Sequence, residues 1–561
     1  MFYLLNKSYS RFQKKEAILF WSGLVIGLVA LVFISLNYYL DITKAVPKRG
    51  GSYIEGLVGQ PVYINPLISY SNPVDEDLIR LTFSNLDELT DHYEVSHSNK
   101  IWTAFLKKDL KWSDSEVLKA DDIIFTLNTI QNPQNSHPLF SSWEGVFAEK
   151  INDTEIRFTL KNPYAFLNDN FKNLYPAPLH IFNDIPYPNL KLSKYNLEPI
   201  GSGPYKYSSY IAKNTGYIDN LYLESNPNYY GGAPYFTKFI VNFYKTEDAL
   251  IKNFNQKEVS GFNLSDPKKL EELKLSYKKI SLALPRYFAV FLNEKNNPAL
   301  KNPEVKKALA MAINKDEIIN KIYLNEAAKI DGPLPPQIPG YIKNEDDLFD
   351  STLARTILQK ALKFNQLNSS KNSAGLTKNN KSATIEPKDS YLLEITLTVP
   401  NTPNLKEVGQ YIANSWEKVG VKTNLVVLDL ENINDTILKK RSYEALLFGE
   451  QLKNNQDLYS FWHSSESSYP GGNLANVSSQ TIDNLLESIR QDLNVESRRQ
   501  KIKSLEKTIR STYSTIFLVS PNYLYITQTK LEGFNDFYIQ SPSNRFNNVN
   551  QWYSEINREF N

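Results

Sequence analysis

From Ala17 to Leu40 the chain runs AILFWSGLVIGLVALVFISLNYYL without a charged residue, long enough to cross a bilayer as one helix. Lys7, Arg11, Lys14 and Lys15 precede it, and Asp41, Lys44, Lys48 and Arg49 follow. That basic bias places the N-terminus inside and the remaining chain outside. A cleaved signal peptide is the rival reading, but its apolar region spans about 7–15 residues and ends at small residues. Here the run is longer and closes on Asn37-Tyr38-Tyr39-Leu40. The pattern therefore predicts an uncleaved signal anchor at 17–40, a cytoplasmic segment at 1–16 and a linker at 41–50.

Beyond the anchor the apolar positions are periodic and short-range. SYIEGLV reads as a strand, and Leu78, Leu81 and Leu86 as the face of one helix. Ile123, Leu127 and Ile130 share a helical face that Pro133 ends, and EIRFTL alternates as a half-buried strand. Asn302-Pro303 opens a helix carrying Val305, Ala308, Leu309, Ala312 and Ile313. Asn314 with Glu317 looks like a capping box for a second, short helix. The clearest unit lies at 391–448. Leu393, Ile395, Leu397 and Val399 form one strand face, and Val408, Tyr411, Ile412, Trp416 and Val419 follow at helical spacing. KTNLVVLDL is then a strand, ENINDTILKKR a short helix and EALLF another strand, an alternation that implies a parallel or mixed sheet. Residues 365–390 are polar and aperiodic and read as a surface insertion or disordered loop.

Composition narrows the function. The 561 residues suit three or four domains at about 150 residues each. Lys and Arg total 63 against 61 acids, so the net charge of +2 argues against a nucleic-acid binder. With no cysteine, disulfides, thiolate chemistry and Cys-ligated metals are excluded. The 35 tyrosines suit partly wet clefts as well as cores. H-E-x-x-H, G-x-S-x-G, G-x-x-x-x-G-K-[ST] and G-x-G-x-x-G are all missing. Gly201-Ser202-Gly203-Pro204 reads as a tight turn into a strand, and Asp121-Asp122 as first-turn acids of a helix. His92, His97, His137, His180 and His463 are scattered, with His92 and His97 read as surface loop residues. No catalytic residue, cofactor or metal site is expected.

Several phrases occur in one order: GLVGQPVYINPL, DEDLIRLTFSNL, KWSDSEVLKADDIIFTLNTIQNP, EPIGSGPYKY, NPNYYGGAPYFTKF and NPEVKKALAMAINKDEIINKI. GPLPPQIPGY, DLYSFWHSSES and GGNLANVSSQTIDNLLESIRQDLN follow. Together, from about residue 50 to about 535, they resemble the oligopeptide/dipeptide-binding family of ABC-importer solute-binding proteins, solute-binding protein family 5. The resemblance implies an α/β, two-lobed clamshell of the periplasmic-binding-protein kind (type II, with an extra small domain), here preceded by one transmembrane helix. Lobe I would comprise 51–80 and 190–287, the extra domain 81–189, lobe II 288–520 and the return to lobe I 521–561. Hinge crossings would fall near 285–291 and 520–525.

The family commonly has Gly where this chain has Ser115, so that turn is expected to differ. Peptide-binding members place an Asp near a strand end to pair with the ligand's α-ammonium. In LLFGEQLKNNQDLYSF the nearest acid is Glu450, while Asp457 aligns with a structural Asp. Glu450 follows EALLF and Gly449, where ligands dock outside strand ends of open α/β sheets. Gly449 and Glu450 are therefore the candidate ligand-binding residues, a solvated loop role for Glu450 being the alternative.

The resulting expectation is a monomeric, membrane-tethered receptor that captures oligopeptides outside the cell and hands them to ABC permease subunits. A peptide sensor or chaperone-like holder without transport, or the same fold binding an oligosaccharide or nickel chelate, are the alternatives.

Overall fold

The structure, a computed structural model, describes residues 14–69, 72–338, 341, 343, 348–372, 391–452, 456–535 and 539–560. Helix α1 (Lys14–Ile42) contains the apolar run, and its stretch 18–41 is exposed throughout. The expected linker is ordered differently: β1 (Thr43–Pro47) pairs antiparallel with the chain's last strand, so much of 41–50 is strand.

β2 (Ser52–Val58) then enters a large sheet, and α2 (Pro73–Thr82) follows, capped by Asn72 on the N–H of Val74. Leu78, Leu81 and Leu86 do not share one helix. Phe83 turns extended, and Asn85 caps a new turn, α3 (Leu86–Leu89), through a reciprocal bond with Glu88. Gly201 and Gly203 explain the break. A Cβ on Gly201 would lie 1.8 Å from the Thr82 carbonyl oxygen, so only glycine lets the 201–204 turn approach α2's end.

A four-stranded antiparallel sheet, in the order β3-β4-β6-β5, follows: β3 (Thr90–Val95), β4 (Ile101–Leu106), β5 (Val146–Asn152) and β6 (Glu155–Leu160), with α4 (Ala120–Gln131) against it. His92 lies in strand β3, not a loop, and stacks on Phe105 with ring centroids 4.4 Å apart; His97 is exposed in the turn beyond. Next come β7 (Tyr205–Ala212), β8 (Ile218–Ser225), β9 (Lys238–Tyr244), α5 (Glu247–Asn255), β10 (Gly261–Leu264) and β11 (Tyr277–Leu282). With β2 and the later strand β18 (Tyr523–Gln528) these strands build a seven-stranded sheet in the order β11-β18-β10-β2-β9-β8-β7, in which β9, β2 and β10 run parallel.

After β11 the chain passes to a second sheet. Its strands are β12 (Arg286–Leu292), β13 (Ala327–Lys329), β14 (Leu393–Pro400), β15 (Val421–Leu428), β16 (Ala445–Gln451) and β17 (Thr515–Pro521), ordered β13-β17-β12-β16-β14-β15. Helices α6 (Pro303–Met311), α7 (Ser351–Asn372) and α8 (Pro403–Lys418) cover one face. α9 (Gln480–Gln491) and α10 (Val495–Ser511) cover the other. Alternation on β12 sorts the two cores: Val290 and Leu292 join the first, Tyr287, Ala289 and Phe291 the second. Asn314 caps its helical turn, accepting from the N–H groups of Asp316 and Glu317, while the Glu317 side chain pairs with Lys321 instead of closing the expected capping box.

Helix α7 runs on through Asn372, so the polar segment expected as a loop from 365 begins as helix; its remainder, 373–390, lies outside the described residues. At Asn522 the chain leaves β17 for β18 (Tyr523–Gln528) in the first sheet, and β19 (Ile556–Phe560) closes on β1. Two α/β bodies thus face each other across two short crossovers, 283–285 and 522, with the three-layered second body inserted between pieces of the first.

Candidate functional site: the cleft between the two sheets

The parallel strands of both sheets end at one place. Gly56–Val58 at the end of β2, Asn263–Pro267 at and beyond the end of β10, and Thr402–Leu405 beyond β14 all border a cleft of about 480 Å³. Arg286 and Phe288 on β12, Tyr323, and Pro521–Leu524 at the second crossover line it too. Carboxyl ends of parallel strands are where open α/β sheets leave backbone groups and helix N-termini free for a ligand.

Contacts between the two bodies bracket the cleft. Lys268 pairs with Glu407 and the Asn404 side-chain amide donates to the Ser265 carbonyl at 3.1 Å. Glu326 sits by the crossovers, paired with Lys279 and accepting from the Ser281 hydroxyl at 2.8 Å and the Asn522 amide at 3.2 Å. Farther out, the Tyr164 hydroxyl donates to Asp457 at 2.8 Å, and Asp457 also receives Arg490. Asp457 thus holds the small sheet's body against the second lobe.

Gly449 and Glu450 are not among the residues lining this cleft. Strand β16 runs through Gln451 rather than stopping at Phe448, so Glu450 is a strand residue, neither solvated nor in a loop. The pleat sends the two positions to opposite faces. Gly449 sits opposite Phe288, where an added Cβ would fall 2.6 Å from the ring. Glu450, 5% exposed, points with Tyr287 toward the α9–α10 side; the Tyr287 hydroxyl donates to Oε2 while Oε1 has no hydrogen-bond partner among the described residues. Burial pushes its pKa up to about 8, against the pull of the Tyr287 hydroxyl and the nearby Arg441 charge.

Sequence reading did not single out Arg286 or Tyr323, whose buried polar atoms, Nε and the hydroxyl, likewise have no hydrogen-bond partner among the described residues. A charged residue opening an otherwise apolar strand, RYFAVFL, was the available signal. Among the described residues, no group of three or more His, Cys, Asp and Glu could hold a metal ion.

Comparison with known proteins agrees with this architecture. Residues 87–472 match the model of bacterial extracellular solute-binding proteins, family 5. The chain is 23% identical over 530 residues to the oligopeptide-binding protein AppA of Bacillus subtilis, covering 90% of this chain and 92% of the relative. It is 24% identical to the dipeptide-binding protein of Escherichia coli over 61% of this chain and 63% of that one. The structure of B. subtilis AppA in complex with a nonapeptide superposes with a TM-score of 0.72 at 20% identity, over 91% of this chain and all of the other. The ABC transporter substrate-binding protein CtaP of Listeria monocytogenes gives 0.75 at 22%, over 90% of this chain and all of the other.

Proposed function

The chain belongs to the bacterial extracellular solute-binding proteins of family 5, binding proteins rather than enzymes, and we propose that it is the peptide-capturing receptor of an ABC importer, tethered to the membrane by its own N-terminal helix. The cleft carries this reading: about 480 Å³ between two lobes joined by two short crossovers, lined from both. Relatives named as oligopeptide- and dipeptide-binding proteins point to peptide as the ligand. A peptide touching both lobes binds the closed form better than the open one, so binding shifts the population toward closure. The crossovers at 283–285 and 522 are the hinges of this motion.

The tether has support of its own. Arg558 donates to the Leu40 carbonyl at 3.0 Å and the Thr43 carbonyl at 2.8 Å, tying the chain's last strand to the end of α1. Cleavage near Val46 would discard half of this clasp. We also propose that Glu450, outside the cleft lining but with its Oε1 buried and without a hydrogen-bond partner among the described residues, meets the ligand's α-ammonium and gives up its proton as the pair forms.

Mass spectrometry of small molecules that co-purify with the full chain in detergent tests the reading. Peptides of mixed sequence are expected; a glycan or metal chelate in their place overturns it. Glu450 is tested by affinity for free against N-acetylated peptides. Wild type should prefer the free amine by about tenfold, and Glu450→Gln should abolish the preference. Small-angle scattering that shows no smaller radius of gyration at saturating peptide would refute the closure.

A further inference from the structure

The charged groups lining the cleft are unequally served. Asp77 receives both terminal nitrogens of Arg545, at 2.8 and 2.7 Å. Glu326 holds Lys279, Ser281 and Asn522. Glu247 accepts from the backbone and hydroxyl of Ser265 at 2.6 and 2.7 Å and faces Lys269 at 3.5 Å. Asp266 caps the N–H of Lys268 at 3.0 Å. Arg286 alone of these has no ion pair and no side-chain hydrogen bond among the described residues, and its Nε is sealed from solvent. Burial pulls its pKa below the ordinary guanidinium value, opposed only by the nearby Tyr323 and Tyr523.

Two further donors converge on the same cleft. The Tyr323 hydroxyl, on a residue only 3% exposed, has no hydrogen-bond partner among the described residues. The sixteen-residue helix α8 starts there, and Thr402 makes no side-chain capping bond, so the amides of its first turn and the positive end of its dipole face the space. A half-buried guanidinium whose Nε is shut off from water without a partner is served by an acceptor that enters the cleft, and a planar carboxylate fits its fork in a bidentate way. The acids nearby are already engaged, so that acceptor must come from the ligand.

We propose that Arg286 and Tyr323, facing the N-terminus of α8, form an anchor for a carboxylate of the bound peptide. The proposal rests on the peptide-capture reading and adds ligand charge to it. The carboxylate has two sources, the peptide's C-terminus or an Asp or Glu side chain. Either would be clasped from the second lobe while Asp266 and Leu264 of the first lobe close the opposite wall.

The test is competitive capture by the full chain in detergent. A casein digest is divided, one half methyl-esterified at every carboxylate, the halves mass-tagged and mixed, and retained peptides counted. Wild type should retain native peptides at least tenfold over their esterified twins. Arg286→Gln should retain both alike, and Tyr323→Phe, which deletes one oxygen and keeps the ring, should narrow the preference about threefold. Thermal melting of each variant checks folding. Preference confined to peptides containing Asp or Glu assigns the anchor to a side chain; preference shared by peptides lacking them assigns it to the C-terminus. Equal retention by wild type, or an undiminished preference in both folded variants, overturns the anchor while leaving peptide capture standing. No retained peptide from either half would overturn the peptide reading itself, and the anchor with it.

Discussion

Arg545 is buried in the core and Arg286 half-buried on the cleft wall, and they are opposites. All five N–H groups of Arg545 are used: Nε and Nη2 donate to Glu55 at 3.3 and 2.9 Å, both Nη atoms to Asp77, and Nη1 to the Pro542 carbonyl at 2.9 Å. Glu55 also accepts from the Tyr525 hydroxyl at 2.6 Å, which meets the Tyr53 hydroxyl at 2.8 Å. The network pins the 542–546 turn to β2 and α2, and its members are buried. Arg286 has no such partners among the described residues. A filled network in a core fixes structure; an unfilled donor in a cleft leaves an interaction for a ligand to complete.

The largest effect should come from breaking the filled side. Arg545→Met would leave two carboxylates buried without their cation, at a cost of about 3–5 kcal/mol. Arg286→Gln, measured on the same ligand-free protein by urea unfolding, should cost less than about 1 kcal/mol, because no native bond is lost. Equal costs would show that Arg286 is as structural as Arg545, and the contrast would collapse.

Acidity sharpens the comparison next. One guanidinium faces two carboxylates, and burial pushes Glu55 up to about 7, with Arg545 and Tyr525 pulling the other way. Its folded pKa exceeds the unfolded one, so the native state holds the extra proton. The associated stability is complete below about pH 4.5 and declines as pH rises to about 7, at roughly 1.4 kcal/mol per pH unit. Glu450, at about 8, extends the decline by one unit. Melting temperature should therefore fall from pH 5 to 8, and Glu55→Gln should flatten the part below pH 7. A melting temperature that rises over this range would contradict the buried, protonated state of both acids.

What was legible in the residues was whatever repeats within a dozen positions. Leu393, Ile395, Leu397 and Val399 alternate into a strand, and Val408, Ile412 and Trp416 mark the α8 face, because pleat and helix periods act locally. Where a distant segment decides, the pattern misled. The end of α2 is set by the 201–204 turn pressing on Thr82. The continuation of β16 through Gly449 depends on Phe288 of the neighbouring strand filling the space a side chain would take. Cleft and network are less visible still: Arg545 meets residues 490 and 468 positions away, and Arg286 is conspicuous only for bonds it does not make.

The smallest expected effect lies at a third arginine, intermediate between the other two. Arg558 is half-buried and bonds only to neutral oxygens: the carbonyls of Leu40 and Thr43 and the Thr43 hydroxyl at 2.8 Å. The Leu40 carbonyl belongs to the end of α1, where the helix has no further turn to satisfy it, and Thr43 opens β1 just beyond. Arg558 also supplies positive charge at a helix C-terminus, worth about 0.3–1 kcal/mol. Removing it strands no buried carboxylate, so the penalty should be local. In Arg558→Ala, amide hydrogens of the β1–β19 pair should exchange about three- to tenfold faster than in wild type, while those of β2 and β12 stay unchanged. The global melting temperature should shift by less than in any Arg545 variant. Exchange that is unaltered across 43–47 would mean the strand pairing alone holds β19 to the end of α1, with Arg558 adding nothing.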